Sequence, residues 1–108
     1  MFIARWQFTS RFGKLDDCIS ILRKWEIDVG ERVGWKASNI RVLTGFIGGN
    51  DSLVEFETRF DSLSDLEGAW GDMERNPHHR ELLKQLEGVI VSGSSSWSLL
   101  REVTLIAG

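Results

Sequence analysis

The sequence predicts an α+β fold, a two-layer sandwich in which one antiparallel sheet carries its helices on one side. Three observations predict it. The hydrophobic period switches between two and 3.6 in the order strand, helix, strand, strand, helix, strand. A Gly48-Gly49-Asn50-Asp51 turn joins the middle strands. Two strand–helix–strand halves then make a split βαβ arrangement, and right-handed crossovers put both helices over the same face. The length fits: 108 residues, 42% of them hydrophobic, make one domain spanning residues 1–108. Such a chain buries roughly 65% of its unfolded surface, a core that needs no disulfide.

Each element has its own warrant. Phe2, Ala4, Trp6 and Phe8 alternate with Ile3, Arg5 and Gln7, which predicts a first strand. Gly13 marks the turn that follows. Leu15, Cys18, Ile19, Leu22, Val29 and Val33 then form one stripe, predicting a helix over about 14–33 with Trp25 at its margin. Asp16 and Asp17 suit its first turn, where the helix dipole favours negative charge. Ile40, Val42, Thr44 and Phe46 alternate with Arg41, Leu43, Gly45 and Ile47, predicting a second strand. Gly and Asn tolerate the positive φ that the following hairpin turn needs. Residues 52–60 alternate again, with Val54, Phe56, Thr58 and Phe60 on one face.

Ser62 is a helix cap, with Asp65 three residues on. Leu63, Leu66, Trp70 and Met73 recur at helical spacing, and Pro77 ends that helix and opens another behind an Asn76 cap. Two helical pieces are expected, about 62–75 and 77–87, with a kink between them. Residues 88–94 return the chain to the sheet, and 95–103 make the last strand. Leu105, Ile106 and Ala107 extend that strand or pack on a partner.

Charge and composition narrow the functions. The net charge is −3, and 13 basic residues are interleaved with 16 acidic ones, so no basic patch for nucleic acid is expected. The lone Cys18 beside Asp16 and Asp17 reads as a small buried residue, not a reactive thiol. One Cys and two adjacent His argue against a zinc site, and no metal is expected. No signal peptide or membrane span is expected either, which predicts a protein of the cytoplasm.

The two sheet faces differ. Trp6, Phe8, Val42, Phe46, Val54, Phe56 and Trp97 form the set expected to meet the helices. Arg5, Gln7, Arg41, Glu55, Glu57, Arg59 and Ser98 lie opposite, mixed with Ile3, Leu43, Ile47, Leu53 and Leu100. A solvated face does not need those apolar residues, and a dry one does not tolerate the charges unpaired. A partly covered face fits both, with Arg5 and Arg41 near Glu55 and Glu57. A second copy packing there is therefore expected, against the simpler alternative of an exposed sheet with surface ion pairs. The hairpin loop leaves the register open by one residue.

Several phrases carry a family resemblance. Arg11-Phe12-Gly13-Lys14-Leu15-Asp16-Asp17, Asn76-Pro77 with Leu82, Leu83, Leu86 and Val89, and the stretch from Gly93 to Arg101 resemble the dimeric α/β-barrel superfamily of the ferredoxin-like fold. NIPSNAP-like proteins are the nearest group, and antibiotic-biosynthesis monooxygenases the next. The resemblance covers nearly the whole chain. It implies a homodimer whose sheets face each other and a ligand cavity between each sheet and its helices. The superfamily includes cofactor-free oxygenases, isomerases and haem proteins, so the fold selects no single activity.

The candidate chemistry rests on few residues. Trp6 and Trp97 on strands and Trp70 on a helix make the walls of an aromatic pocket for a planar hydrophobic ligand, or else simply fill the core. Trp25 and Trp35, outside the first helix's stripe, are candidates for a subunit interface. His78 and His79 point about 100° apart on a helix and cannot share a metal. One of them paired with an acid offers a general base or a haem ligand; the simpler alternative is a solvated first turn. Glu55 and Glu57 with Arg5, Arg41 and Arg59 offer a carboxylate base, or more simply ion pairs at the dimer face. The expected function is that of a NIPSNAP-like homodimer binding a small apolar or aromatic ligand without a cofactor. The alternative is a cofactor-independent monooxygenase or isomerase acting on a small aromatic compound.

Overall fold

The computed structural model describes residues 1–106. Strand β1 (Phe2–Thr9) leads into helix α1 (Leu15–Asp28), strands β2 (Ile40–Thr44) and β3 (Leu53–Phe60), helices α2 (Leu63–Arg75) and α3 (Pro77–Glu87), and strand β4 (Ser96–Arg101). The strands form one antiparallel sheet in the order β2-β3-β1-β4. This is the expected α+β, ferredoxin-like βαββαβ sandwich. The register left open by the hairpin is settled: Val42 stands opposite Phe56, and Arg41 opposite Glu57. Trp6 lies between Phe56 and Trp97, and Arg5 between Glu57 and Ser98. Residues directly opposite share a face, so the apolar and charged sets separate as their alternation requires.

The caps behave as local chemistry dictates. The Ser62 hydroxyl accepts from the Asp65 amide at 3.1 Å, and the Asn76 side-chain oxygen accepts from the His78 amide at 2.9 Å. Asn76 has extended backbone angles and both ends α2 and starts α3, which produces the kink. Cys18 is fully buried, and burial first, then the neighbouring Asp17 charge, pushes its thiol pKa up. Its role is packing.

Three expectations are corrected. The first helix ends at Asp28, not Val33, and a 3₁₀ turn at Gly30–Arg32 follows. A side chain at Gly30 would collide with the Trp35 carbonyl at 2.7 Å, so this glycine lets the returning chain close against the helix end. The second strand ends at Thr44, because the backbone at Gly45 turns directly against the Asn50 carbonyl, which a Cβ there would strike. Phe46 is therefore not in the core: it is 90% exposed in the 45–52 loop, and Ile47 leaves the sheet with it. The last strand ends at Arg101, and Leu105 and Ile106 are exposed beyond it without extending the sheet. Ala107 lies outside the described residues.

The core sits over β1 and β3, where Ala4, Phe8, Val54, Phe56 and Phe60 meet Leu22, Leu66, Met73, Leu82 and Leu86 from the helices. The edge strands are less covered. Val42 and Trp97, both on the helix-facing side, remain 39% and 40% exposed.

Candidate functional site

A cavity of about 330 Å³ lies between the sheet and the helices. Trp6, Phe56 and Trp97 form its sheet wall, and Trp70, His79 and Leu83 belong to its helical wall. All four residues singled out as ligand candidates, Trp6, Trp70, Trp97 and His79, are thus brought around one space. Its volume is at the small end of ligand sites, and its walls are mostly apolar with few polar groups.

The tryptophans form one connected cluster. Trp6 stacks on Trp97 with ring centroids 5.8 Å apart and planes 10° from parallel. Trp70 meets Trp97 edge-on at 4.6 Å, and Trp35 contacts Trp70 at 5.9 Å and Trp25 at 6.3 Å. The expectation that Trp25 and Trp35 lie at a subunit interface is corrected here. Both are buried in this chain, Trp35 completely, and both line the cavity. The helix stripe missed Trp35 because it belongs to the loop after the helix. The available signal was the pair Gly30 and Gly34. Gly30 admits the close approach, and Gly34 adopts a φ of +88°, turning the chain inward just before Trp35.

Four of the five indole N–H groups are used within the chain. Trp6 donates to the Ser95 hydroxyl at 2.6 Å, Trp35 to the Ala69 carbonyl at 2.9 Å and Trp70 to a Glu74 carboxylate oxygen at 2.9 Å. Trp25 donates to His79 Nδ1 at 3.0 Å. The cavity wall therefore presents ring faces and edges, with little unsatisfied polarity.

His79 is the imidazole at this wall, which also carries the carboxylates of Glu74 and Glu87; it is half-buried in the first turn of α3, whereas His78 is exposed. Burial pushes the His79 pKa down, against an upward pull from the Glu74 carboxylate. The Trp25 bond has the same sense. An indole N–H only donates, so Nδ1 must be unprotonated and the neutral ring carries its proton on Nε2. In this arrangement Nε2 has no lone pair for a base or an iron ligand.

The other sheet face holds a separate charged cluster. Glu57 is 3% exposed, yet points away from the helices. Arg41 donates to both its oxygens at 3.2 and 3.0 Å, and Arg5 reaches it at 3.4 Å. Glu55 accepts from Gln7 at 2.8 Å and lies 4.0 Å from Arg5. Arg59 stands apart from this group and pairs with Glu102 at 2.7 Å. Leu43 and Leu100 flank the cluster on the same face, 38% and 37% exposed. Among the described residues, no group of three or more metal-ligating side chains occurs, and no helix is long and apolar enough to cross a membrane.

No protein-family model matches the chain, and no curated protein sequence matches it. Solved structures do. A NIPSNAP family protein from Agrobacterium tumefaciens is similar with a TM-score of 0.77 at 19% identity, over 96% of this chain and 94% of that one. An uncharacterised NIPSNAP domain protein from Burkholderia xenovorans has a TM-score of 0.76 at 12% identity, over all of both chains. A putative antibiotic biosynthesis monooxygenase from Nitrosomonas europaea has a TM-score of 0.68 at 8% identity, over 96% and 100%. These likenesses establish the fold. They are of the two kinds that the sequence resembles.

Proposed function

We propose that this protein is a cytoplasmic homodimer that binds a small planar apolar or aromatic molecule in the cavity between its sheet and helices. The observation that carries the reading is the enclosure of one 330 Å³ space by Trp6, Trp70 and Trp97 beside a single imidazole. Apolar burial supplies the affinity, and the indole faces supply shape selection for a flat ring. Calorimetric titration with naphthalene tests it. Micromolar binding that weakens at least tenfold in Leu83→Trp, which fills the cavity wall, is the expected result. Absence of binding to the native protein removes the reading.

The homodimer rests on the second sheet face, where Leu43 and Leu100 surround the Glu57 ion cluster. A second copy seated there covers apolar surface while the carboxylate keeps its own guanidinium partners. The alternative reading, a cofactor-independent monooxygenase or isomerase acting on a small aromatic compound, is favoured by one observation: His79, at the cavity wall with its proton on Nε2, offers a donor to negative charge that develops on a substrate oxygen. Turnover of an electron-rich phenol under oxygen, lost in His79→Phe, is the result that would select it.

A further inference from the structure

We infer that Trp25 sets the polarity of the cavity by holding His79 as a hydrogen-bond donor, so that the site favours planar aromatic molecules carrying an acceptor oxygen over hydrocarbons of the same shape. The inference rests on the ligand reading above and adds the class of ligand. Its geometry is specific. The Trp25 indole N–H lies 3.0 Å from His79 Nδ1, and the two rings meet nearly edge to face, 67° apart. Protonating Nδ1 would set two donors against each other. The ring therefore keeps Nδ1 as the acceptor and Nε2 as the donor.

Nε2 makes no hydrogen bond to the described residues, and it is not among the sealed polar atoms of the interior. It is an accessible donor on a residue that lines the cavity. Of the other indole donors on the wall, the N–H groups of Trp6, Trp35 and Trp70 are bonded inside the chain, and that of Trp97 is the one left over, on the sheet side across from His79. A ligand carbonyl or other acceptor oxygen meets a free N–H at His79. Burial of the imidazole favours the same neutral form. Trp25 touches His79 and is a positioning residue in this scheme; His79 is the group that contacts the ligand.

Two measurements test this. Nitrogen NMR of the native protein at neutral pH reads the tautomer directly: a protonated Nε2 and a bare Nδ1 are expected, and the opposite tautomer overturns the inference. Calorimetry then compares 1-indanone with indane, which have nearly the same shape and differ by one ketone oxygen. In His79→Phe the ratio of their affinities is expected to shift about fivefold toward indane, the worth of one neutral hydrogen bond. An unchanged ratio, with both still binding, overturns the donor role and leaves the ligand reading standing. Failure of both compounds to bind the native protein overturns the two together. Trp25→Phe is expected to mix the tautomers and to shift the ratio in the same direction. If it folds and keeps both tautomer and ratio, the positioning role of Trp25 is wrong. If it does not fold, the native tautomer and the His79→Phe ratio still decide.

Discussion

Glu26 carries a carboxylate whose two oxygens are buried with no hydrogen-bond partner among the described residues. Burial first, and then the adjacent Glu31, pushes its pKa up to about 8. A raised acid pKa means that the folded state holds the proton more tightly than the unfolded state. The resulting penalty is absent below the unfolded value near 4.5 and is complete once the pH has risen through about 8. The protein is therefore expected to lose stability between pH 5 and pH 8. Glu26→Gln should flatten that dependence, raising stability at pH 8 by about 1 kcal/mol after allowance for solvent screening. Urea unfolding at both pH values reads it. Trp35 belongs to the same scale. Trp35→Ala removes a completely buried ring and is expected to cost about 3–5 kcal/mol; a cost under 1 kcal/mol would place the ring outside the core. Neither role was legible in advance. Period and spacing locate residues within an element, and both of these depend on how the chain folds back at Gly30.

The elements themselves were largely readable, because their signals are local. Ser62 and Asn76 cap as their side-chain chemistry demands, and Pro77 occupies the first turn where its missing N–H costs nothing. Asn76→Ala is expected to destabilise the protein by about 1 kcal/mol, read as a shift in the urea midpoint. The strand ends were less readable. Alternation runs through Phe46 and Ile47, yet the backbone leaves the sheet at Gly45. Alternation reports what a segment could do as a strand and is blind to a turn made against a distant residue. Phe46→Ser therefore should change stability by less than about 0.5 kcal/mol, as at exposed positions generally. A loss of several kcal/mol would show that the ring is covered.

At the scale of the molecule, the two sheet faces divide the work. One holds the tryptophan cavity, and the other holds a nearly buried carboxylate clasped by Arg5 and Arg41. Glu57→Ala leaves Arg41 without its partner and Arg5 with only the more distant Glu55, and is expected to cost roughly 2 kcal/mol. In the proposed homodimer that loss also weakens association, and Leu43→Glu should shift the mass in light scattering from dimer toward monomer at low micromolar concentration. A native protein that scatters as a monomer removes the dimer. Much of the candidate site was legible because Trp6, Trp70 and Trp97 fall on elements whose facing was readable. The part contributed by Trp25 and Trp35 was not, since it depends on packing between a helix margin and a loop.

The continuous chain of indoles has an optical consequence. Neighbouring rings within the cluster lie 4.6 to 6.3 Å apart, far inside the range of efficient excitation transfer. Light absorbed by any of the five migrates among them before it is emitted. Excitation is thus shared across the cluster, and the part-exposed Trp97 at its edge brings it next to water. Displacing water from beside that one ring should shift the colour of the whole molecule's emission.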